Sequence, residues 1–508
     1  MLDNYGWVAT IFIVIIVLAT ILLLMKEGID ATKITVTGAV VVALIYLFFM
    51  DWQLGFQENL SFDHVPDNFL EALSQTINVE AILIIFSVSI IVAITKGAGF
   101  FDFISLSIVK LTKGDPRKLM IALGGLTFFV SMFFDNLSAI ILLGSLTVVI
   151  CRQLELNMRP FVLFVGINTI IGGLPTPVSS LPNIIFYNLL KPGTLAKNGV
   201  PVDVGFISFM GYMLPISIFF FGVSTAFFFF IYRKDILIEV PDEKKEQLSR
   251  INPWSGIDDR RNIWKSLILL GTLFTGFLLT SITVQTTQVG IGLKSVTSLA
   301  LTDRLNPVYN TYVVTTFRFP DVAFVALIVA IFGIFLFKKE LKHYLEDGVE
   351  WEMIVFFIAL FILMGVLTAS GALSPLTKIM GNFLQTDPAT GTIPIGGQLL
   401  VALIIGVVGL PITGFLNGSS AALIFSYIFQ TLPRGILPGL WIGFVLGGNI
   451  GGALSPLGSI TILMALEILN REGDRMSFLQ YIVRMLPLTL LFGVLSVLYS
   501  MFLIGVGL

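Results

Sequence analysis

Residues 171–183 read IGGLPTPVSSLPN, and residues 450–462 read IGGALSPLGSITI. Both stretches open on Ile-Gly-Gly. Each then places a Ser or Thr before a Pro, an aliphatic residue after it, and a Ser two places further on. Each interrupts a long apolar run. Irregular, polar backbone inside a hydrocarbon layer survives only where protein or a water-filled cavity encloses it. The pair therefore predicts two broken membrane helices lining one enclosed space.

Composition places the rest of the chain around them. The 508 residues are 56% hydrophobic and 12% charged, with a mean hydropathy of +0.94, values that belong in a bilayer. Apolar runs such as residues 11–24 and 219–231 are continuous, as spanning helices are, without the alternation of barrel strands. The first run, residues 7–25, has no basic segment before it and is too long for a signal-peptide core, so it reads as a retained helix. Net charge is −2, without the basic footprint that nucleic-acid binding needs. One Cys and two His leave no disulfide framework and no soft-metal site, and no cofactor is expected beyond coupling ions.

Orientation follows from asking which threading gathers Lys and Arg on one side. Starting outside, spans at residues 7–25, 34–50 and 79–95 lead to an amphipathic stretch at 100–111. A run from 119 to 150 comes next, broken by Asp135 and Asn136 and basic at both ends, which reads as a hairpin re-entering from the cytoplasm. A broken span at 160–187 and a span at 205–232 close the first half, and a charged linker follows. The second half reverses every direction: spans at 264–283, 322–337 and 351–368, a short outer stretch at 372–384, a hairpin at 397–429 with Asn417 at its tip, a broken span at 437–469 and a final span at 482–508. Of the 30 Lys and Arg, 23 then fall inside and 7 outside.

The expected fold is therefore an all-α polytopic membrane protein with about ten spans, two re-entrant hairpins and two broken helices. Its divisions are a first repeat at 1–232, a cytoplasmic linker at 233–263 and a second repeat at 264–508, with both termini outside the cytoplasmic membrane. The hairpin tips Asn136 and Asn417 are 281 apart and Gly172 and Gly451 are 279 apart, so tip and break recur together. The odd number of crossings between them makes the copies inverted, which is the sequence pointer to a transporter site near the midplane.

Candidate ion-binding residues follow from chemistry. Asp135 is a carboxylate in the middle of an apolar run, where an unmatched charge costs several kcal/mol, and alternate occupancy by a proton and a cation would satisfy it. Asp also starts helices well, so a capping role is compatible. Asn136, Ser138, Thr176, Ser179, Ser180, Asn183, Asn417, Ser419, Ser420, Asn449, Ser455 and Ser459 offer neutral oxygens to a hard cation, while helix N-termini would serve an anion. Pro177, Pro182 and Pro456 read as structural, and the Phe-rich run at 219–230 as packing surface.

FFDNLSAIILL at residues 133–143, the break after it and NIGGALSPLGSITIL at 449–463 resemble the ion transporter superfamily. That superfamily holds the citrate-transporter-like proteins, the dicarboxylate/sodium symporters, and the ArsB/NhaD group with the melanocyte P protein. The resemblance covers nearly the whole chain. It implies a homodimer with a moving transport domain, and sodium held at Asp135, Asn136 and Thr176 in one half and at Asn417, Ser419, Ser455 and Ser459 in the other. The tips Asp135-Asn136-Leu137 and Asn417-Gly418-Ser419 depart from the Ser-Asn-Thr tips of dicarboxylate members. Leu416 stands where the NhaD and P-protein members carry Asp.

The function expected from the residues is a secondary ion transporter, with sodium or another cation exchanged for a proton placed first. Coupled citrate or dicarboxylate transport, or arsenite permeation, comes second, and a channel last. An intramembrane enzyme would need paired aspartates, a metal-binding His cluster or a Ser with His or Lys at depth. None is present in the sequence.

Overall fold

The computed structural model describes residues 6–24, 31–50, 77–190, 204–238, 246, 252–254, 257, 259–280, 283–289, 312–318, 321–337, 344–349, 351–385, 393–416, 418–430 and 436–507. It is an assembly of apolar helices, as the composition requires. The first half holds α1 (Gly6–Leu24), α2 (Ala31–Met50), α3 (Val79–Gly97), α4 (Phe100–Thr112), α5 (Pro116–Ser131), α6 (Asn136–Leu154), α7 (Met158–Gly172), α8 (Leu181–Leu190) and α9 (Phe206–Ile231). The second half holds α10 (Arg260–Leu279), α11 (Val322–Phe337), α12 (Trp351–Ala369), α13 (Ser374–Phe383), α14 (Ile395–Leu416), α15 (Gly418–Gln430), α16 (Pro438–Ile450), α17 (Ile460–Arg471) and α18 (Phe478–Val506). Six of the described helices, α3, α6, α9, α10, α14 and α18, are long and apolar enough to cross a bilayer on length and composition alone.

The polar segment between α10 and α11, which the sequence reads as loop, carries an antiparallel pair of strands. β1 (Thr283–Val289) and β2 (Tyr312–Arg318) pair with Thr286 opposite Thr315. Their Val, Thr and Tyr content suits a pleated surface better than a helix.

Helix starts are chemically marked. Asp115 accepts from Arg117 N ahead of Pro116, Asn157 accepts from Arg159 N, and Ser477 forms a reciprocal capping box with Gln480. These bonds satisfy amides that helix geometry leaves unpaired. The broken helices sit at the centre: α7 from Pro160 and α16 from Gly439 are buried residue after residue. Around them pack the hairpins α5/α6 and α14/α15 with α9, α17 and α18, while α1 and α2 pair with α12, and α3 with α11.

Contacts far apart in sequence test the threading. Thr10 Oγ1 donates to Ser370 O at 2.9 Å, Asn188 Nδ2 to Asn78 Oδ1 at 3.1 Å, and Leu437 N to Gln398 Oε1 at 2.8 Å. Each joins ends assigned to the outer side. Arg152 pairs with Glu472, Arg159 with Asp474, and Lys265 Nζ lies 5.5 Å from the Phe337 ring. Each joins ends assigned to the inner side. The Arg159–Asp474 pair, only a quarter to a third exposed, is expected to couple by about 1 kcal/mol in a double-mutant cycle of Arg159→Gln and Asp474→Asn read by thermal unfolding. Additivity of the two changes would refute it.

Candidate functional site

The first hairpin turns over residues 132–135 between α5 and α6. Asp135 is the N-cap of α6: its Oδ1 accepts from Leu137 N at 2.9 Å and Ser138 N at 3.1 Å, and its Oδ2 from Ser138 Oγ at 2.5 Å. Ser131 Oγ, at the end of α5, donates to Thr169 O at 2.7 Å and lies within hydrogen-bonding reach of Asn136 Oδ1 at 3.0 Å. Across the turn, Thr176 Oγ1 donates to the Met132 carbonyl, so the tip lies level with the break between α7 and α8. Beyond that break α8 runs ten more residues, about 15 Å at 1.5 Å per residue. The hairpin thus turns back short of the far end of α8.

Breaking a helix inside a membrane orphans carbonyls that nothing in lipid can satisfy. The break residues answer this demand. Asn183 Nδ2 lies within hydrogen-bonding reach of Gly173 O, Leu174 O and Thr176 O at 2.8, 3.1 and 2.8 Å, and Ser179 Oγ donates to Gly173 O and Thr176 O. Thr176, Ser179 and Asn183 therefore hold the break in shape. Asn183→Ala would strip Leu174 O of its side-chain partner and leave Gly173 O and Thr176 O to Ser179 alone, at about 1–3 kcal/mol for the group. A thermal midpoint several degrees lower in detergent is the expected result, and an unchanged midpoint would refute the role.

The second half repeats these bonds. Thr413 Oγ1 donates to Gly447 O at 2.6 Å, as Ser131 does to Thr169 O, and Ser455 Oγ donates to Gly414 O at 2.5 Å, as Thr176 does to Met132 O. Gly418 N donates to Gly458 O at 3.0 Å, tying the start of α15 to the second break. Asn417 lies outside the described residues.

The halves meet across Asn449. Its Nδ2 donates to Asn183 Oδ1 at 2.9 Å and to Val445 O at 2.8 Å, and its Oδ1 accepts from Ser180 Oγ at 3.1 Å. Beside this bridge lies a cavity of about 90 Å³. Asp135, Asn136, Ser180, Ser419, Asn449 and Ser459 line it. Of the other expected residues, Ser138 is buried against Asp135, Ser420 is buried in α15, and Thr176, Ser179, Asn183 and Ser455 stand behind the wall in the breaks.

The starts of α6, α8, α15 and α17 all border the cavity, through Leu137, Leu181, Gly418 and Ile460. Each helix N-terminus carries roughly half a positive charge. Asp135 caps one, while Ser459 makes no side-chain cap at the start of α17. Among the described residues the lining holds one carboxylate and no Lys, Arg or His. It can therefore accept a cation at Asp135 and an anion against backbone dipoles.

Reading the sequence missed Ser131, Thr413 and Thr461, and also Ile85, Met353 and Phe357, which close the cavity from α3 and α12. Ser131 and Thr413 could have been found: each is a hydroxyl residue just before a hairpin tip, 282 residues apart. The apolar wall gives no such signal.

Comparison with known proteins agrees with this architecture. The chain is similar to a 46 kDa membrane protein of Mycobacterium leprae (strain TN), 23% identical over 496 residues and covering 96% of each chain. It is 24% identical over 449 residues to the P protein of Mus musculus, covering 80% of this chain and 51% of that one. The crystal structure of the Alcanivorax borkumensis YdaH transporter covers 94% of this chain and 99% of its own, with a TM-score of 0.51 at 15% identity, a likeness of fold alone. The model of the citrate transporter family (CitMHS) matches residues 20–446. Running through both hairpins and the first break, that match makes this chain a membrane transporter that belongs to the citrate transporter family.

Proposed function

We propose that this chain is a secondary active carrier that moves a small carboxylate-class anion together with a cation, sodium or a proton, held at Asp135. The observation that carries the reading is the cavity's electrostatics: four helix starts and a single carboxylate, with no cationic side chain among the described residues of the lining. An anion alone would face Asp135, and a cation alone would face the dipoles. The two together are matched, and the family's description as citrate transporters points the same way. Asn136, Asn417, Ser419 and Ser459 are proposed to share in binding, with Thr176 and Ser455 supporting them from the breaks.

The place of the cavity supports alternating access. One wall belongs to the hairpins and broken helices, and the other to Ile85 of α3 and to Met353 and Phe357 of α12. Sliding the hairpin core past that apolar wall would uncover the cavity on one side and then the other, an elevator movement of two inverted repeats. The contacts joining like ends and the 23-to-7 charge distribution support both termini outside the cytoplasmic membrane. The homodimer implied by family resemblance completes the proposal.

Cation/proton exchange is the second reading, favoured by Asp135 being the one ionisable group among the described residues of the lining. Proteoliposomes with an internal pH dye, challenged in turn with sodium, lithium, potassium, arsenite and citrate, separate the two. Saturable citrate uptake driven by a sodium or proton gradient is expected. Proton movement answering cations alone would overturn the anion reading in favour of exchange, and non-saturable flux would indicate a channel.

A further inference from the structure

At the cytoplasmic end of the fold a second cavity, of about 430 Å³, opens where α7 begins, α9 ends and α18 begins. Its lining is cationic: Arg159, Arg233, Lys234 and Arg484 against the single carboxylate Asp235. Arg159 is paired with Asp474. Asp235 accepts from Asn157 Nδ2 at 2.9 Å. Among the described residues, Arg233, Lys234 and Arg484 have no carboxylate partner. Arg484 is also held in place: its guanidinium lies 5.3 Å from the Tyr232 ring centre and Nη1 donates to Tyr232 Oη at 3.3 Å. A planar guanidinium fixed over an aromatic face keeps its remaining donors presented in one direction, which suits a phosphate.

Apolar surface runs into this cavity from the membrane side. Phe230 and Ile231, at the end of α9, line it beside Arg233 and are 74% and 41% exposed. A soluble anion would have no use for exposed Phe230 and Ile231 beside the cations, whereas a phospholipid would lay a chain against them. The volume also exceeds what a bare ion fills and falls in the range of organic-ligand pockets, about 300–1,000 Å³. Basic pockets between membrane helices on the cytoplasmic side are suited to anionic headgroups.

We infer that this cavity is a binding site for the headgroup of an anionic phospholipid of the inner leaflet, with Arg233, Lys234 and Arg484 contacting its phosphate and exposed Phe230 and Ile231 at the end of α9 receiving an acyl chain. The site is separate from the transport cavity and does not depend on what the carrier moves. Bound lipid would brace the cytoplasmic ends of α7, α9 and α18, and so stabilise the body that carries the hairpins.

The test uses the full-length protein in phosphatidylcholine nanodiscs with increasing phosphatidylglycerol, reading retained lipid by native mass spectrometry and the thermal midpoint in parallel. Saturable retention with a rising midpoint is expected. Affinity should fall roughly fivefold for each cation removed, and on the order of a hundredfold in Arg233→Gln/Lys234→Gln/Arg484→Gln. A charge-matched Lys110→Gln/Lys113→Gln/Lys118→Gln variant, changed at exposed cytoplasmic lysines elsewhere, should bind as the unmodified protein does. Should the triple variant fail to assemble, Arg484→Gln alone carries the test. The inference is overturned if the pocket variants retain phosphatidylglycerol unchanged or if the charge-matched variant loses it equally. It is also overturned if inorganic phosphate at the same concentration stabilises the protein as well as the lipid does, since the site would then take a free anion.

Discussion

Asp135→Asn is expected to abolish coupled transport, lowering the initial rate in proteoliposomes on the order of a hundredfold while leaving the protein folded. The substitution separates the two roles of this side chain. Asn is as good an N-cap as Asp, so an oxygen remains to accept from Leu137 N and Ser138 N, the bonds that start α6. The bond from Ser138 Oγ to Oδ2 changes character, because that oxygen becomes an amide nitrogen. The negative charge disappears from a lining that has no other among the described residues. Charged hydrogen-bonding groups contribute about 1.5–3 kcal/mol to an interaction, and the upper end corresponds to a hundredfold in affinity. The thermal midpoint should move little. Loss of both transport and folding would reduce Asp135 to its cap, and retained coupling would move the cation site elsewhere.

Much of this arrangement was legible in the sequence because membrane depth allows few residue types. Asp135 and Asn136 interrupt an apolar run and stand at the hairpin turn, and the two Gly-Gly stretches stand at the breaks. The basic ends that the threading gathered on one side are joined there by Arg152–Glu472 and Arg159–Asp474. The division of labour among the polar residues was not legible. Thr176, Ser179, Asn183 and Ser455 read as ion ligands on type alone, yet their side chains bond carbonyls that the breaks leave unpaired. A sequence shows that a helix is interrupted without showing how many carbonyls the interruption strands. The bridge from Asn449 to Asn183 spans 266 residues, and the apolar wall of Ile85, Met353 and Phe357 resembles any other packing surface. The strand pair between α10 and α11 was hidden because TVQTTQV and YVVTTFR, though rich in β-branched residues, lack the apolar/polar alternation that marks a half-buried strand.

Gly172→Val and Gly451→Val are expected to destabilise the protein most, and by similar amounts, because the two glycines occupy matching places against the hairpins. A Cβ at Gly172 would lie 2.5 Å from Phe128 O and 2.6 Å from Phe128 Cα; at Gly451 it would lie 2.7 Å from Thr413 Cβ and 3.0 Å from Gly414 N. At both positions the obstacle includes backbone of the first hairpin arm, which no change of rotamer can move aside. Relief would require the hairpin to back away from the broken helix. That movement would stretch Ser131 Oγ–Thr169 O in one half and Thr413 Oγ1–Gly447 O in the other, at 2.7 and 2.6 Å. Overpacking of this kind costs about 1–3 kcal/mol for added methylene groups, occasionally more, and the opened hydrogen bonds would add about 1 kcal/mol each. Gly125→Ala and Gly211→Ala supply the contrast, since nothing lies within 4 Å of a Cβ built at either. There the helix-propensity gain of about 1 kcal/mol should leave stability unchanged or raised. Thermal unfolding in detergent, with monodispersity as the second reading, should rank Gly172→Val and Gly451→Val together at the bottom. If only one of them fell, the hairpins would not be packed alike on the two broken helices, and the matching hydrogen bonds would not mark equivalent halves of one transport site.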